Sequence, residues 1–596
     1  MGSSVWPTRA LALVTGAFPI LAFPRADLGW LAWTALVPGM LLLARTGTAR
    51  EAAIRGWAFG GGYLLAALYW TLPYIGPALP LIALVFGALW APWGMAVRAL
   101  VPRHPVYALL VLPSGWLTIE LVRSRPSLGG PWAVYGATQW HHPTELALAA
   151  LGGIWLISFA LVAANTTLTL ALTTLLSPAP RPTPRPAPVN GTPVEPNSVT
   201  PSHIHVPPPS ATASKHPNAP PQATHAEEPD PVANAAAKEA TAPADGGNGD
   251  VAGRRAGPWW RSGGGRRGFV AGMVTLALAI TGIGPLVFAM RREPGVARTI
   301  RVNLVQPGVE EGAELRLGAA FQMTRAAPPA DLTVWGESSV GVDLARDPRL
   351  VRRLRELAAA RGPLLVNEDA TDARGRVSKS AILVERDGIR GRYVKTRLVP
   401  FGEYIPFRPV LGWLSTVSKA AGQDRLKGTG PILMTAGGTT FGPLICFESA
   451  FPDLARTLTR RGAELIVYQS ATSSFQDTWA PAQHASLAAV RAAETGRPTV
   501  QAALTGVTAA FDARGRRIAW FETDRYGAVT VTLKLPPVTS RTPYDRVGDV
   551  VPLVCLAVTA GAVAAAVGKR RGEVGGGGVT RRRRRKSPSA PDRGRT

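Results

Sequence analysis

Apolar segments recur along the chain near residues 10–24, 29–44, 57–77, 79–101, 106–122, 146–176, 269–290 and 549–568. Several are long enough to cross a hydrocarbon core about 30 Å thick. A chain with this pattern cannot bury all its apolar surface in one water-soluble core, and it reads as a polytopic α-helical membrane domain of about eight spans. The opening "TRALALVTGAFPILAF" has one basic residue before an apolar core, as a signal peptide does. Further spans follow at once, so it reads as the first helix. Arg45, Arg50 and Arg55 follow the second span, Arg98 and Arg103 the fourth, and Lys569, Arg570 and Arg571 the eighth. By the positive-inside rule these loops are cytoplasmic, both termini are inside, and residues 291–548 lie outside the cytoplasm. Arg291 and Arg292 run against that rule.

The expected organisation is therefore N-terminal transmembrane helices over 1–176, a disordered Pro/Ala/Gly-rich cytoplasmic linker over 177–268, and a transmembrane helix over 269–290. An extracytoplasmic α/β domain over 291–548, a C-terminal transmembrane helix over 549–568 and a basic cytoplasmic tail over 569–596 complete it. Lys and Arg number 65 against 39 Asp and Glu, a net charge of +26. Much of that excess sits in the linker and in the tail "TRRRRRKSPSAPDRGRT", without aromatic residues interleaved on a folded face, which points to the lipid bilayer and away from nucleic acid. The two cysteines, Cys446 and Cys555, lie far apart in unlike surroundings, which argues against a disulfide or a zinc site. His203, His205, His216 and His225 in the linker lack ligand spacing. With no nucleotide or flavin motif present, no metal or other cofactor is expected.

Within 291–548, β-rich runs recur: "TIRVNLVQ", "DLTVWGE", "GPLLVNED", "SAILVERDGIRGRYVK", "TTFGPLICFE", "AELIVYQS" and "PTVQAALTGVTAAFDARGRRIAWF". Helical stretches "PRLVRRLRELAAARG" and "PAQHASLAAVRAAETGRP" lie among them and stop at Gly362 and Gly496. DG and ARG turns mark hairpins. These elements predict a mixed sheet covered by helices.

Three polar residues stand at the ends of predicted strands: Glu337 in "LTVWGESS", Lys395 in "GRYVKTRLVPFGEYIP" and Cys446 in "GPLICFESAF". Ligands of open α/β sheets bind beyond strand ends, where the three can converge. A thiol is mostly protonated at neutral pH and needs a base or a nearby cation to act as a nucleophile. Glu337 can take its proton, while Lys395 and the backbone N–H after the cysteine can hold an oxyanion. Taken singly, a lone Cys is more often a small buried hydrophobe, and Glu and Lys are usually solvated surface charges.

The order Glu, Lys, Cys with gaps of 58 and 51 residues, together with "KTRLVPFGEYIP" and "LICFESAFPDLAR", resembles the nitrilase or carbon–nitrogen hydrolase superfamily. Within it the chain is similar to the membrane-embedded apolipoprotein N-acyltransferases. The phrases "TIELVRSRPSLGGPW" and "AAVRAAETGRPTVQAALTGVTA" extend that likeness over nearly the whole chain. The resemblance implies a nitrilase-like αββα sandwich outside the cytoplasm of a bacterial inner membrane. It further implies transfer of an acyl chain from a phospholipid to the N-terminal amine of diacylated apolipoproteins through a thioester on Cys446, with Glu337 as general base and Lys395 as oxyanion partner. Glu403 and Glu448 match further acidic positions of the motif, Glu403 near Lys395 and Glu448 as an orienting residue, and Phe447 beside the cysteine is counted with them as supporting. Two rival readings are a membrane-tethered amidase or nitrilase-type hydrolase of small amides, and a catalytically weak lipoprotein-binding paralogue.

Several positions depart from the family pattern. Gly336 stands where Pro often precedes the base, Arg397 where His is common, Phe447 where Tyr is frequent, and Ser470, Ala471 and Thr472 where Asn and an aromatic are usual. His484 reads as a structural histidine on an amphipathic helix, and Arg491 with Glu494 as a structural pair. Arg123 and Arg125 are expected at phosphate head groups, and Trp132 and Tyr135 at the membrane interface.

Overall fold

The computed structural model describes residues 6–177, 263–309, 312–417 and 422–580. Most of the expected linker with its four histidines, and the tail beyond residue 580, lie outside the described residues. Among these residues, five helices are long and apolar enough to cross a membrane: Ala78–Leu100, Pro105–Arg123, Ala149–Leu176, Gly265–Met290 and Val550–Lys569. The first two apolar segments are broken instead. A helix Trp6–Ala17, 3-10 turns Phe18–Ala22 and Gly29–Trp33, and a helix Val37–Ala44 replace continuous spans. Pro19, Pro24 and Pro38 lack the N–H groups that would carry a helix onward. The segment expected at 57–77 forms the helix Ala49–Leu68 and short turns ending at Ile75. Helices also run past two expected boundaries: one begins at Gly263, and the last continues to Thr580.

Close approach and aromatic packing hold the bundle together. A Cβ on Gly60 would fall 2.7 Å from Gly87 O, and one on Gly94 2.5 Å from Ala52 O, so neighbouring helices touch backbone to backbone. Trp116 sits among Tyr63, Trp90, Trp93 and Tyr135 with ring centroids 5.5 to 5.7 Å away. At one end of these helices Arg98 donates to Gly47 O at 2.8 Å, while Arg9 and Arg55 both pair with Glu51. At the other end Tyr74 donates to Ser474 O, and the Trp70 ring lies 4.7 Å from that of Phe475. The arginine-rich loops and the α/β domain therefore occupy opposite ends of the bundle.

The α/β domain is built on two six-stranded mixed sheets, the two-sheet layering of the αββα sandwich that the resemblance implies. The first has the order β12-β1-β2-β3-β4-β5 and the second β11-β10-β9-β8-β7-β6. Its strands are β1 Arg298–Gln306, β2 Leu332–Trp335, β3 Leu364–Thr371, β4 Val377–Glu385, β5 Gly388–Val394 and β12 Gly527–Leu535. Those of the second are β6 Met434–Ala436, β7 Thr439–Ile445, β8 Leu465–Ser470, β9 Thr499–Ala503, β10 Thr508–Phe511 and β11 Arg517–Phe521. Parallel pairing is confined to β1-β2-β3 and β7-β8-β9, and every other neighbour is antiparallel.

The sheets meet face to face through polar as well as apolar groups. Gln469 of β8 donates to Trp335 O at 2.9 Å and Leu365 O at 3.1 Å, and Asn367 of β3 donates to Gln469 Oε1 at 3.2 Å. Phe321, Leu350, Leu354 and Leu357 from helices Ala313–Ala326 and Pro348–Arg361 cover the first sheet. Leu454, Leu458 and the small residues of the helix Ala480–Thr495 cover the second, completing an αββα sandwich. Gly362 (φ 96°) and Gly496 (φ 67°) end their helices as the sequence indicates.

One buried carboxylate joins sandwich to bundle. Gly152 and Gly153 break the helical path of Ala149–Leu176, which frees the Ile154 N–H. Glu494 Oε1 accepts it at 2.8 Å, while Oε2 pairs with Arg491 Nε at 3.0 Å, both side chains fully buried. The expected Arg491–Glu494 pair thus also docks the domain. Replacing Arg491 by Met leaves a buried carboxylate without its counter-charge and is expected to cost about 3 kcal/mol. Thermal melts of the detergent-purified variant read that loss, and the double variant Arg491→Met/Glu494→Gln regains part of it.

Candidate active site

Glu337 lies just beyond β2, Lys395 just beyond β5 and Cys446 just beyond β7, and the three strand ends converge. Lys395 Nζ is 3.0 Å from Glu337 Oε1 and 3.0 Å from Glu403 Oε1. The Cys446 thiol lies near enough to Glu337 and Lys395 for their charges to act on it. All three charged side chains are buried, while Cys446 stays partly exposed. Gly336 is required before Glu337 because a Cβ there would sit 1.9 Å from Leu504 N. That close approach lets Glu337 N donate to Ser470 O at 3.1 Å and Leu504 N donate to the same oxygen at 2.8 Å.

Cys446 adopts φ 51°, left-handed backbone that costs a non-glycine residue about 1–3 kcal/mol. Glu448 holds it there. Its Oε2 accepts Ile445 N at 2.8 Å, and its Oε1 accepts Thr396 N at 2.6 Å, Thr396 Oγ1 at 2.7 Å and Arg397 N at 3.0 Å. Tyr393 OH donates to both oxygens. One carboxylate thereby ties the turn carrying Cys446 to the strand end carrying Lys395. Glu403 is held similarly by Val399 N at 2.9 Å and Arg425 Nη1 at 3.2 Å.

The electrostatics follow from burial against pairing. Burial raises the Glu337 carboxyl, but Lys395 and Lys379 outweigh it and bring it down to about 2. Burial lowers Lys395, yet Glu337 and Glu403 hold it above its ordinary value. Burial, with the Glu337 charge, pushes the Cys446 thiol up to about 12 against the pull of Lys395. The resting state is therefore a neutral thiol beside an ionised carboxylate and an ammonium. That is the arrangement of a nucleophile awaiting its base.

Aromatic groups pack against the turn that carries the thiol. Trp132, from the loop after the Pro105–Arg123 helix, stacks on Phe447 at 6.3 Å and on His484 at 6.2 Å. Gly130 lies against Phe451 and Phe447, where a Cβ would meet them at 2.7 and 2.9 Å. His484 is 3.4 Å from Ser449 Oγ and from Ser470 Oγ, and burial brings it down to about 4, a neutral histidine. Three residues expected at head groups or the membrane interface are buried within the protein. Arg123 is buried and donates to Trp132 O at 2.5 Å and Ala133 O at 2.6 Å, Tyr135 is wholly buried and donates to Ala32 O, and Trp132 faces the cysteine turn. Arg125 is exposed. The unusual 470–475 loop packs Phe475 between Trp70 and Tyr74 at 4.7 Å each.

Lys379 escaped the sequence reading although it stands on β4 beside Glu337. Its signal was a lysine inside "VSKSAILVE", a strand buried from residue 379 to 384. Among the described residues no group of three His, Cys, Asp or Glu is placed to hold a metal ion.

The family description "Apolipoprotein N-acyltransferase N-terminal domain" matches residues 15–167, and "Carbon-nitrogen hydrolase" matches residues 296–541. The chain is similar to proteins named apolipoprotein N-acyltransferase from Geobacter metallireducens, 25% identical over 94% of this chain and 95% of that one, and from Azotobacter vinelandii, 28% identical over 91% and 92%. Among solved structures, a mutant amidase of the nitrilase superfamily from Nesterenkonia AN1 is 20% identical, with a TM-score of 0.32, over 42% of this chain and 95% of that one. A nitrilase-superfamily protein from Saccharomyces cerevisiae is 18% identical, also at 0.32, over 40% and 91%.

With its thiol pushed up to about 12, Cys446 is expected to react with iodoacetamide at a rate that still climbs at pH 10, where an ordinary thiol levels off near about 8.5. Glu337→Gln removes a negative neighbour and leaves Lys395, so its thiol titrates lower and the rate turns over earlier. Peptide mapping separates Cys446 from Cys555.

Proposed function

Because the chain belongs to the apolipoprotein N-acyltransferase family, we propose that it moves an acyl chain from a phospholipid to the α-amine of a diacylglyceryl-cysteine lipoprotein. One observation carries the reading: the partly exposed Cys446 beside Glu337 and Lys395 sits on a turn whose Phe447 stacks on Trp132, which arrives from a loop between two membrane-length helices. A site acting on soluble amides has no need of that contact.

In the first half-reaction Glu337 takes the thiol proton as Cys446 Sγ attacks the ester carbonyl. Lys395 and the Phe447 N–H hold the oxyanion. The carbon–oxygen bond to glycerol breaks, Glu337 returns the proton to the leaving alkoxide, and lysophospholipid departs from a thioester. In the second half-reaction the lipoprotein amine attacks that thioester and gives its proton to Glu337. The carbon–sulfur bond then breaks, the amide leaves, and the thiolate takes the proton back. Glu403 supports Lys395, Glu448 fixes the cysteine turn, and Phe447 backs the acyl position.

The placement proposed is a bacterial cytoplasmic membrane, with the α/β domain outside and both termini inside. The arginine-rich loops at one end of the bundle and the sandwich at the other support it. The domain limits given above, including the cytoplasmic linker and basic tail, belong to this proposal.

Incubation of the detergent-purified protein with phospholipid is expected to add one acyl mass that hydroxylamine removes and that Cys446→Ala lacks. Intact-mass spectrometry reads it. Absence of the adduct, with ammonia released from small amides, would favour the hydrolase instead, and neither product would favour a non-catalytic lipoprotein-binding protein.

A further inference from the structure

The charges around Glu337 form a chain of alternating sign. Asp369 lies 3.2 Å from Lys379 Nζ, which lies 3.6 Å from Glu337 Oε1; Lys395 is 3.0 Å from the same oxygen and 3.0 Å from Glu403, and Arg425 is 3.2 Å from Glu403. Lys379 also donates to Ser338 Oγ, on the residue after Glu337. Ser338 is held at φ 59°, with its N–H donating to Asn367 Oδ1 at 2.9 Å. The side chain is nearly buried, so its ammonium is taken up by the site and not by water.

We propose that Lys379 is a positioning residue of the reacting centre, holding the Glu337 carboxylate against Cys446 jointly with Lys395. It acts on the acylation step through Glu337 and touches no reacting atom. The role of Glu337 as base is taken from the function proposed above. The charged and titratable groups around Glu337 are Lys379 and Asp369 on the first sheet, Lys395 and Glu403 beyond β5, Cys446 beyond β7, and His484 on the helix Ala480–Thr495. Of these only Lys379 and Lys395 oppose protonation of Glu337 by direct ion pairing. Removing a cation raises a carboxylate's pKa, so the base is lost at higher pH.

The test uses the full chain in detergent and a p-nitrophenyl ester, whose nitrophenol burst reports acylation of Cys446 without phospholipid or lipoprotein. Lys379→Gln keeps donors for Ser338 and Asp369 but not the charge, and Lys379→Arg keeps the charge. The parent burst rate is expected to stay flat from pH 7 down to 4. In Lys379→Gln the pH at which it falls by half lies about one unit higher than in the parent, and Lys379→Arg restores the parent profile. A Lys379→Gln profile whose acid limb coincides with the parent's would overturn the proposal, even if the rate dropped uniformly or the melting temperature fell. A parent that bursts with the ester yet forms no lipid thioester would sink the acyltransferase reading while leaving the role of Lys379 to be judged on its own limb. A parent without any burst would remove Glu337 as base and the proposal with it.

Discussion

Burying an ammonium is the constraint from which the site grows. Lys395 is almost wholly enclosed, and an uncompensated charge at such depth is not tolerated. Glu337 and Glu403 answer it from two sides, but two buried carboxylates raise the same problem with opposite sign, which Lys379 and Arg425 answer in turn. Each compensation recruits another strand end or loop, so elements from β2 to the segment beyond β5 are aligned by one sequence of pairings. Geometry that could be mistaken for catalytic design is also what makes the buried charge survivable.

Rigidity at the nucleophile has a different source. The strained backbone of Cys446 is held by a network that Glu448 centres, whose donors come from β5, the residues after it and the end of β7. A side chain that never faces the reacting atoms thus sets the distance between the two groups that do. Three of the donors are backbone amides, whose positions depend on the sheets, and the Tyr393 and Thr396 hydroxyls supply the rest.

Strand ends, hairpin turns and the Glu, Lys, Cys order were readable from local pattern, since each depends on neighbours in sequence. Residues whose position depends on distant partners were not. β12 was passed over because "GAVTVTLKL" acquires meaning only beside β1, with Val302 opposite Val531. The two-sheet layering rests on contacts such as Gln469 with Trp335, which no periodicity encodes. Arg123 looked like a head-group ligand because an arginine after a span usually is one; here two carbonyls freed by the turn at Trp132 and Ala133 claim it. The first apolar segments count as spans by composition, but Pro19, Pro24 and Pro38 divide them. Lys379 was hidden for the opposite reason: a charge in a buried strand looks like noise until its partners are visible.

Where Gly152 and Gly153 interrupt a membrane-length helix, the freed Ile154 amide is capped by a carboxylate of the sandwich. That shared cap redraws the module boundary. In a chimaera, a catalytic body cut at its own covalent ends would leave behind the loop bearing Trp132 and the amide that Glu494 requires. The unit that can be transplanted therefore includes residues 124–154, although they stand far earlier in the chain. A single residue inserted after Gly153 would turn the rest of that helix by about 100°, putting its inward face out of phase with the graft.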